Sequence, residues 1–399
     1  MRRGVPTERS PVNALAPRGP VLDWPSFRRV AAPAAGSVED LPSKLFLTSG
    51  RAAIYHALKL LAVERGATVL VPSYHCPTMV APVVLAGLQV QFYGVRPDGL
   101  PALESIDAAA ARPGTAMIVP HYFGLPQSLA EVREWCDARG IAMIEDCAHS
   151  YFGQAGSRPV GAWGDFATAS LSKFFPVPEA GLLASRDRAV RGVELASAGW
   201  AAELKGFVDV LERSAMHERF SGLNSALRLV FRLKNARRER PSVQQAAAPA
   251  EPLEHALMRE CDMDRIDRTP LAVSRLLNAT LPRGRIIAQR QRNFALYSSL
   301  FADCDRGARP LFARPAAPTA PYVFPLWVDD PNPVYNALRA DGAPVFRWDR
   351  LWPGVPPMAG DVGLQWSHHV LQLLCHQDLS EGDIEHTAKK IKDMLRCPR

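Results

Sequence analysis

Between residues 49 and 146, short and nearly unbroken apolar runs alternate with stretches of helical period, and no other feature of the chain restricts its fold as much. The runs lie at 68–72 (Thr-Val-Leu-Val-Pro), 90–93, 116–120 and 141–145; the segments at 49–65, 78–85, 103–111 and 129–139 read as helices. A strand with no polar alternation needs apolar cover on both faces, and the intervening helices supply it. The pattern therefore predicts an α/β chain with a mostly parallel sheet.

The alternation stops near residue 200. Residues 225–240 are apolar and basic at once and predict a helix, and residues 241–252, rich in Ala, Gln and Pro, read as a linker. A helical pattern resumes over 269–300, and a last helix over 381–395 is marked by Ser380 with Asp383 three residues later. These shifts divide the chain into a Pro- and Arg-rich arm at 1–43, a large domain at 44–262 with an insertion from about 200, and a smaller α+β domain at 268–399.

Composition narrows the function class. With 47% hydrophobic residues the 399-residue chain can bury a large core, and its 27 Gly and 35 Pro fall short of low-complexity disorder. The net charge of +7 is too diffuse to argue a nucleic-acid partner. Seven scattered cysteines with no C-x-x-C pair predict neither a disulfide framework nor a zinc site, and the basic N-terminus leads into Pro-broken sequence with no apolar stretch. A reduced, cytoplasmic protein is the expectation.

Three features could carry chemistry. Asp146 ends an apolar strand, at the sheet edge where α/β folds place ligands. Lys173 stands alone in a neutral stretch, where lost hydration lowers an amine's pKa as Schiff-base chemistry requires. Ser49, Gly50 and Arg51 open a helix whose free N–H groups suit an anion, and Ser170 could add a hydroxyl. Singly, these are equally an N-cap aspartate, a snorkelling lysine and an ordinary helix cap. Together they are the parts that hold pyridoxal phosphate: a partner for the ring nitrogen, an amine and a phosphate cradle.

The ordered set Ser49-Gly50-x-Ala52, Val71-Pro72-Ser73, His121-Tyr122-Phe123-Gly124, Glu145-Asp146-Cys147-Ala148-His149, Gly164-Asp165 with Ser170 and Lys173, and Glu179-Ala180-Gly181 resembles the DegT/StrS-type sugar aminotransferases. Val370-Leu371-Gln372-Leu373 and Asp378-Leu379-Ser380 extend the likeness towards the C-terminus. The resemblance implies a fold type I pyridoxal phosphate enzyme acting as a homodimer. By carry-over Lys173 would bond the cofactor and shuttle a proton, Asp146 would pair with the ring nitrogen, and His149 would contact the ring. Gly50, Arg51 and Ser170 would hold the phosphate. The chain departs from the family pattern where Arg51 replaces a common Thr, where Ser170 to Lys173 is two residues short, and where the glycine-rich segment is reduced to Pro178-Glu179-Ala180-Gly181. Cys76 aligns with the aromatic that stacks on the ring, so His75 or Tyr74 would take over that contact.

The implied function is transfer of an amino group from glutamate to a nucleotide-linked keto-sugar, in surface-polysaccharide or natural-product biosynthesis. Another pyridoxal phosphate reaction, or a silent cofactor-binding protein, is the alternative. The basic stretch at 225–240 reads foremost as a solvated helix over the mouth of the site and secondarily as a contact for an anionic membrane surface. His368-His369 and Arg347-Trp348-Asp349-Arg350 fit a substrate diphosphate and core packing equally well, and nothing specifies a metal.

Overall fold

The computed structural model describes residues 16–33, 35–236, 251–304, 306–312 and 318–395. The first half of the chain forms strands β1 (Ser43–Leu47), β2 (Thr68–Pro72), β3 (Gln89–Val95), β4 (Pro101–Ala102), β5 (Ala116–Pro120), β6 (Ala142–Asp146), β7 (Gln154–Ala155), β8 (Arg158–Pro159), β9 (Phe166–Ser170) and β10 (Gly181–Ser185). Helices α1 (Gly50–Leu60), α2 (Pro77–Leu85) and α3 (Ala130–Asp137) connect them. Eight strands make one sheet in the order β1-β10-β9-β6-β5-β2-β3-β4. Its centre, β3 to β9, is parallel, and antiparallel pairings close it at both edges.

Successive side chains of the central strands enter different cores, which is why their sequence shows no alternation. Val69, Val71, Ala116, Ile118 and Ile144 pack on one face with α1 and α2. Leu70, Met117, Val119, Met143 and Ala167 pack on the other with α3 residues Val132 and Cys136.

Helices α4 (Trp200–Met216), α5 (Asn224–Ala236), α6 (Leu253–Glu260), α7 (Ala272–Thr280) and α8 (Arg283–Leu300) follow. The C-terminal part adds β11 (Ala308–Pro310), β12 (Val323–Val328), α9 (Pro331–Ala340), β13 (Val345–Phe346), α10 (Gly363–His369), β14 (Val370–Leu374) and α11 (Glu381–Leu395). Its four strands form an antiparallel sheet, β11-β12-β14-β13. The core under that sheet also receives Tyr74, Val95, Tyr122 and Phe123 from the large sheet, while Leu271, Leu277 and Ile286 pack into the large sheet's core. Ahead of β1, the arm is tied down where Val21 N–H donates to Asp378 Oδ2 at 3.1 Å and His376 Nε2 lies 2.8 Å from the Pro17 carbonyl.

Three expected helices differ. The helix expected at 103–111 is one 3-10 turn at Leu103–Ser105, because the Asp107 side chain accepts the Ala109 N–H at 2.9 Å and competes with helical bonding. The helix expected at 49–65 stops at Leu60, where Ala62 turns to a φ of 52°. The helix expected at 269–300 is two helices, since Pro282 holds Leu281 in extended backbone. The expected cap of α11 is present: Ser380 and Asp383 exchange backbone-to-side-chain hydrogen bonds at 2.8 and 3.1 Å. Residues 1–15 of the arm and 241–250 of the linker lie outside the described residues.

Phe324 of β12 is fully buried, with the rings of Phe294, Tyr297 and Phe301 5.1, 5.5 and 6.0 Å away. Phe324→Ala is expected to cost about 3–5 kcal/mol, read as a lowered urea midpoint.

Candidate active site

The C-terminal ends of the parallel strands all open to one side. The chain runs from β2 to β3 in one direction and through β5, β6 and β9 in the other, so the reversal of strand order falls between β2 and β5. A cavity of about 510 Å3 lies at this edge, and its wall includes Gly50, Arg51, Asp146, His149, Ser170 and Lys173. Residues spread over more than 120 positions of sequence thus meet at one place.

Asp146 is the last residue of β6. Its Oδ1 accepts the Ala148 N–H at 2.9 Å and the Thr168 hydroxyl at 3.2 Å, while no hydrogen bond to Oδ2 is found among the described residues. Burial pushes the carboxyl above the ordinary aspartate value, against the opposing pull of Lys173 and those two donors. A buried carboxylate with one uncommitted oxygen favours a cationic donor beside it.

Lys173 closes a 3-10 turn that follows β9. Burial lowers its amine below the ordinary 10.5, although Cys76 and Asp146 oppose the shift. Its Nζ stands 5.2 Å from the centre of the Tyr322 ring. His149 lies between two rings, 4.4 Å from Tyr322 and 4.9 Å from Trp348, and burial holds its imidazole neutral, well below the ordinary histidine value.

The first turn of α1 faces the same cavity. Ser49 caps it by accepting the Ala52 N–H on Oγ at 3.2 Å and the Ala53 N–H on its carbonyl at 3.1 Å. The Gly50 and Arg51 N–H groups are the first-turn donors left for an anion. Close approach of β10 sets this helix in place: a Cβ on Gly181 would lie 2.1 Å from the Ser49 carbonyl carbon and oxygen. The hydroxyls of Ser170 and Ser172, 3.4 Å apart, complete a polar end to the cavity. The Arg51 guanidinium is turned to Asp262, its Nε donating to the backbone carbonyl at 3.0 Å.

Glu145 precedes Asp146 and points to the opposite face of the sheet. It accepts N–H groups from Gly161, Trp163 and Gly164 at 2.6, 2.8 and 3.1 Å, and His121 Nε2 lies 2.9 Å from its Oε1. Burial alone would raise this carboxyl, but the His121 and backbone hydrogen bonds outweigh it and hold it below the ordinary value. The turn after His121 is equally constrained. Phe123 has φ 62° and Gly124 φ 83°, and a Cβ on Gly124 would lie 2.3 Å from the Tyr322 nitrogen and 2.7 Å from the His149 carbonyl. That glycine lets Tyr322 and His149 close on each other.

His75 does not belong to the site. It is fully buried away from the cavity, stacked 5.2 Å from Phe92, with Nδ1 2.9 Å from the Pro72 carbonyl and Nε2 accepting the Trp352 N–H at 2.9 Å. Tyr74 is also buried, its hydroxyl accepting from Gln372 Nε2 at 3.0 Å. The helix α5 was expected to cover the mouth, yet none of its described residues lines the cavity, and its Arg228 pairs with Glu218 at 2.5 Å. Arg237 and Arg238 lie outside the described residues. Arg347 is spent on Asn332 and the His368 carbonyl, Arg350 on Glu260, and His369 on the Val328 carbonyl and the Trp327 ring.

Residues 43–235 match the model of the DegT/DnrJ/EryC1/StrS aminotransferase family. That segment is similar to this family. EpsN of Bacillus subtilis, assigned as a pyridoxal phosphate-dependent aminotransferase, is 30% identical over 186 residues, 44% of this chain and 46% of its own. The UDP-N-acetyl-3-dehydro-alpha-D-glucosamine 3-aminotransferase of Acidithiobacillus ferrooxidans is 28% identical over 216 residues, 52% of this chain and 56% of its own. The chain thus spans about half the length of these curated relatives. The aminotransferase TlmJ of Streptoalloteichus hindustanus superposes with a TM-score of 0.58 over 89% of this chain and 86% of its own, at 20% identity. That likeness is one of fold, the fold type I arrangement expected from the sequence.

Sequence reasoning missed Tyr322, Ser172, Arg265 and the role of Glu145 in anchoring the 161–164 loop. Arg265 lines the cavity and donates through Nη2 to Glu179 Oε1 at 2.9 Å, so the glutamate of the shortened glycine-rich segment is a strut for the cavity wall. No local motif marks Tyr322, which lies 149 positions beyond Lys173 and reaches it only through the fold.

Gly181→Ala is expected to cost about 1–3 kcal/mol through backbone overlap, whereas Gly50→Ala, whose nearest contacts are 3.5 Å away, stays within about 0.5 kcal/mol of the parent; urea midpoints compare them. In cofactor-free protein, labelling of Lys173 by an amine reagent is expected to reach half its maximum below pH 10.5, because a depressed pKa frees the amine at lower pH.

Proposed function

We propose that this chain is a pyridoxal phosphate-dependent aminotransferase moving an amino group from glutamate to a nucleotide-linked keto-sugar. The observation that carries the reading is the convergence of Lys173, Asp146 and the first turn of α1 on one cavity. The names of EpsN and of the UDP-sugar aminotransferase support the cofactor and the substrate class.

The residues fit that cofactor. The unbonded Oδ2 of Asp146 suits a protonated ring nitrogen, whose charge a buried carboxylate stabilises. The Gly50 and Arg51 N–H groups with the Ser170 and Ser172 hydroxyls suit a phosphate at a helix start. His149, neutral and held between two rings, offers a polar atom to the cofactor without adding charge. When bound, the cofactor supplies an electron sink for the charge left on a substrate carbon and a carrier for the amino group. Lys173 Nζ, which burial makes easier to deprotonate than an ordinary lysine amine, is the base that takes the proton from one carbon and returns it to another. Tyr322 and Trp348 narrow the space beside it and exclude water.

The reading includes a homodimer, supported by the exposed apolar stripe of Trp200, Leu204, Phe207 and Leu211 along α4, a surface suited to burial against a second copy. It also includes a cytoplasmic setting; among the described cysteines Cys76, Cys136, Cys147, Cys261 and Cys375 are free thiols, and Cys304 is disulfide-bonded. No described helix is long and apolar enough to cross a membrane.

Protein supplied with pyridoxal phosphate is expected to absorb in the visible, and glutamate is expected to deplete that band. Lys173→Ala should abolish it, and Asp146→Asn should keep it but slow the glutamate response at least about tenfold. Failure to develop any band would sink the reading; a band that glutamate leaves unchanged would replace the donor or the reaction.

A further inference from the structure

Arg290 of α8 is among the largest fully buried side chains, and no carboxylate lies within ion-pair distance of its guanidinium among the described residues, Asp378 acting on it only at longer range. Its charge is balanced by oxygen dipoles instead. Nε donates to Gln377 Oε1 at 3.0 Å, Nη1 to the Pro321 carbonyl at 3.1 Å, and Nη2 to the Lys173 carbonyl at 2.5 Å. The guanidinium also lies 4.5 Å from the Phe174 ring. Gln377, itself buried, donates through Nε2 to the Phe174 carbonyl at 2.9 Å. Two consecutive carbonyls of the lysine's turn are therefore held by one coupled Arg–Gln pair.

The second arm of the clamp matters as much. Pro321 precedes Tyr322, whose ring lies under the Lys173 amine. One guanidinium thus fixes the backbone that carries the amine and the backbone that carries the surface beneath it. Burying a cation with no carboxylate in contact is costly, and burial, only partly opposed by Cys375, Tyr322 and Asp378, brings this guanidinium down to about 10. Held on three oxygens in a rigid fork, it keeps its charge where a lysine, with a single ammonium centre, could not reach all three.

We propose that Arg290, acting with Gln377, is a positioning residue that fixes the direction in which the Lys173 amine leaves its turn and thereby keeps that amine in its dry setting. That Lys173 bonds a cofactor rests on the function proposed above; the clamp on its turn does not.

The test uses full-length protein carrying Arg290→Met, Arg290→Lys or Gln377→Leu, with Arg309→Met, a cation lying over Trp327 on the other sheet, as control. Trinitrobenzenesulfonate labelling of Lys173, read by peptide mass spectrometry without cofactor, is followed against pH. Loosening the turn lets water reach the amine, so Arg290→Met is expected to move the profile up by about one pH unit, a roughly tenfold slower labelling below the midpoint. Gln377→Leu should move it less in the same direction, Arg290→Lys should not restore it, and Arg309→Met should match the parent. Profiles of folded Arg290→Met and Gln377→Leu that superpose on the parent overturn the proposal, and Gln377→Leu alone decides if Arg290→Met does not fold. A parent protein that labels normally but develops no visible band with pyridoxal phosphate would defeat the proposed function, while the labelling profiles would still decide the clamp.

Discussion

Sealing both faces of the central strands is the constraint from which the rest follows. Val69, Leu70 and Val71 enter alternate cores, so the strands offer ligands nothing along their length. Only their ends remain, and at the carboxyl edge the reversal between β2 and β5 opens the space that the site occupies. Helices packed on both faces then bring one N-terminus, that of α1, to the same edge.

Two neighbouring carboxylates show how one strand serves both architecture and chemistry. Glu145 is saturated by three backbone N–H groups and His121, and anchors the 161–164 loop on one face. Asp146, one residue on, is half satisfied and faces the cavity on the other. The difference in environment, not in residue type, sets the first below and the second above its ordinary range. A similar division runs through the backbone: Gly124 and Gly181 carry no chemistry, yet each permits an approach that a single Cβ would prevent.

The large sheet was legible because its signal is local. Apolar runs and helical period lie within a few residues of each other, and β2 and β5 fall where the runs stand. Asp146 was legible because it ends such a run, Lys173 because it stands alone in a neutral stretch, and the start of α1 because small residues open the first helical period. The reach of 103–111 was misread because one side chain, Asp107, diverts the backbone without altering the apolar pattern. His75 was misread because adjacency to Cys76 in sequence says nothing of which way a ring turns; its two hydrogen bonds pull it under Trp352. Tyr322 and Arg290 were invisible because their roles depend on how the antiparallel sheet and α8 settle against the lysine's turn, a relation no window of sequence contains.

The alternation of Glu145 and Asp146 also guards the assembly of the sheet itself. A strand apolar on both sides loses little hydrophobic burial if it slips by one residue against β5 or β9, since each core would merely receive the other's side chains. The carboxylates break that degeneracy. A slipped β6 would thrust the fully bonded anion away from its N–H donors and bury an ion in an apolar layer, so a misaligned strand carries an electrostatic penalty that greasy neighbours could never impose. The polar pair is in that sense a registration mark, and the same two residues that equip the finished edge also tell the folding chain where the strand must stop.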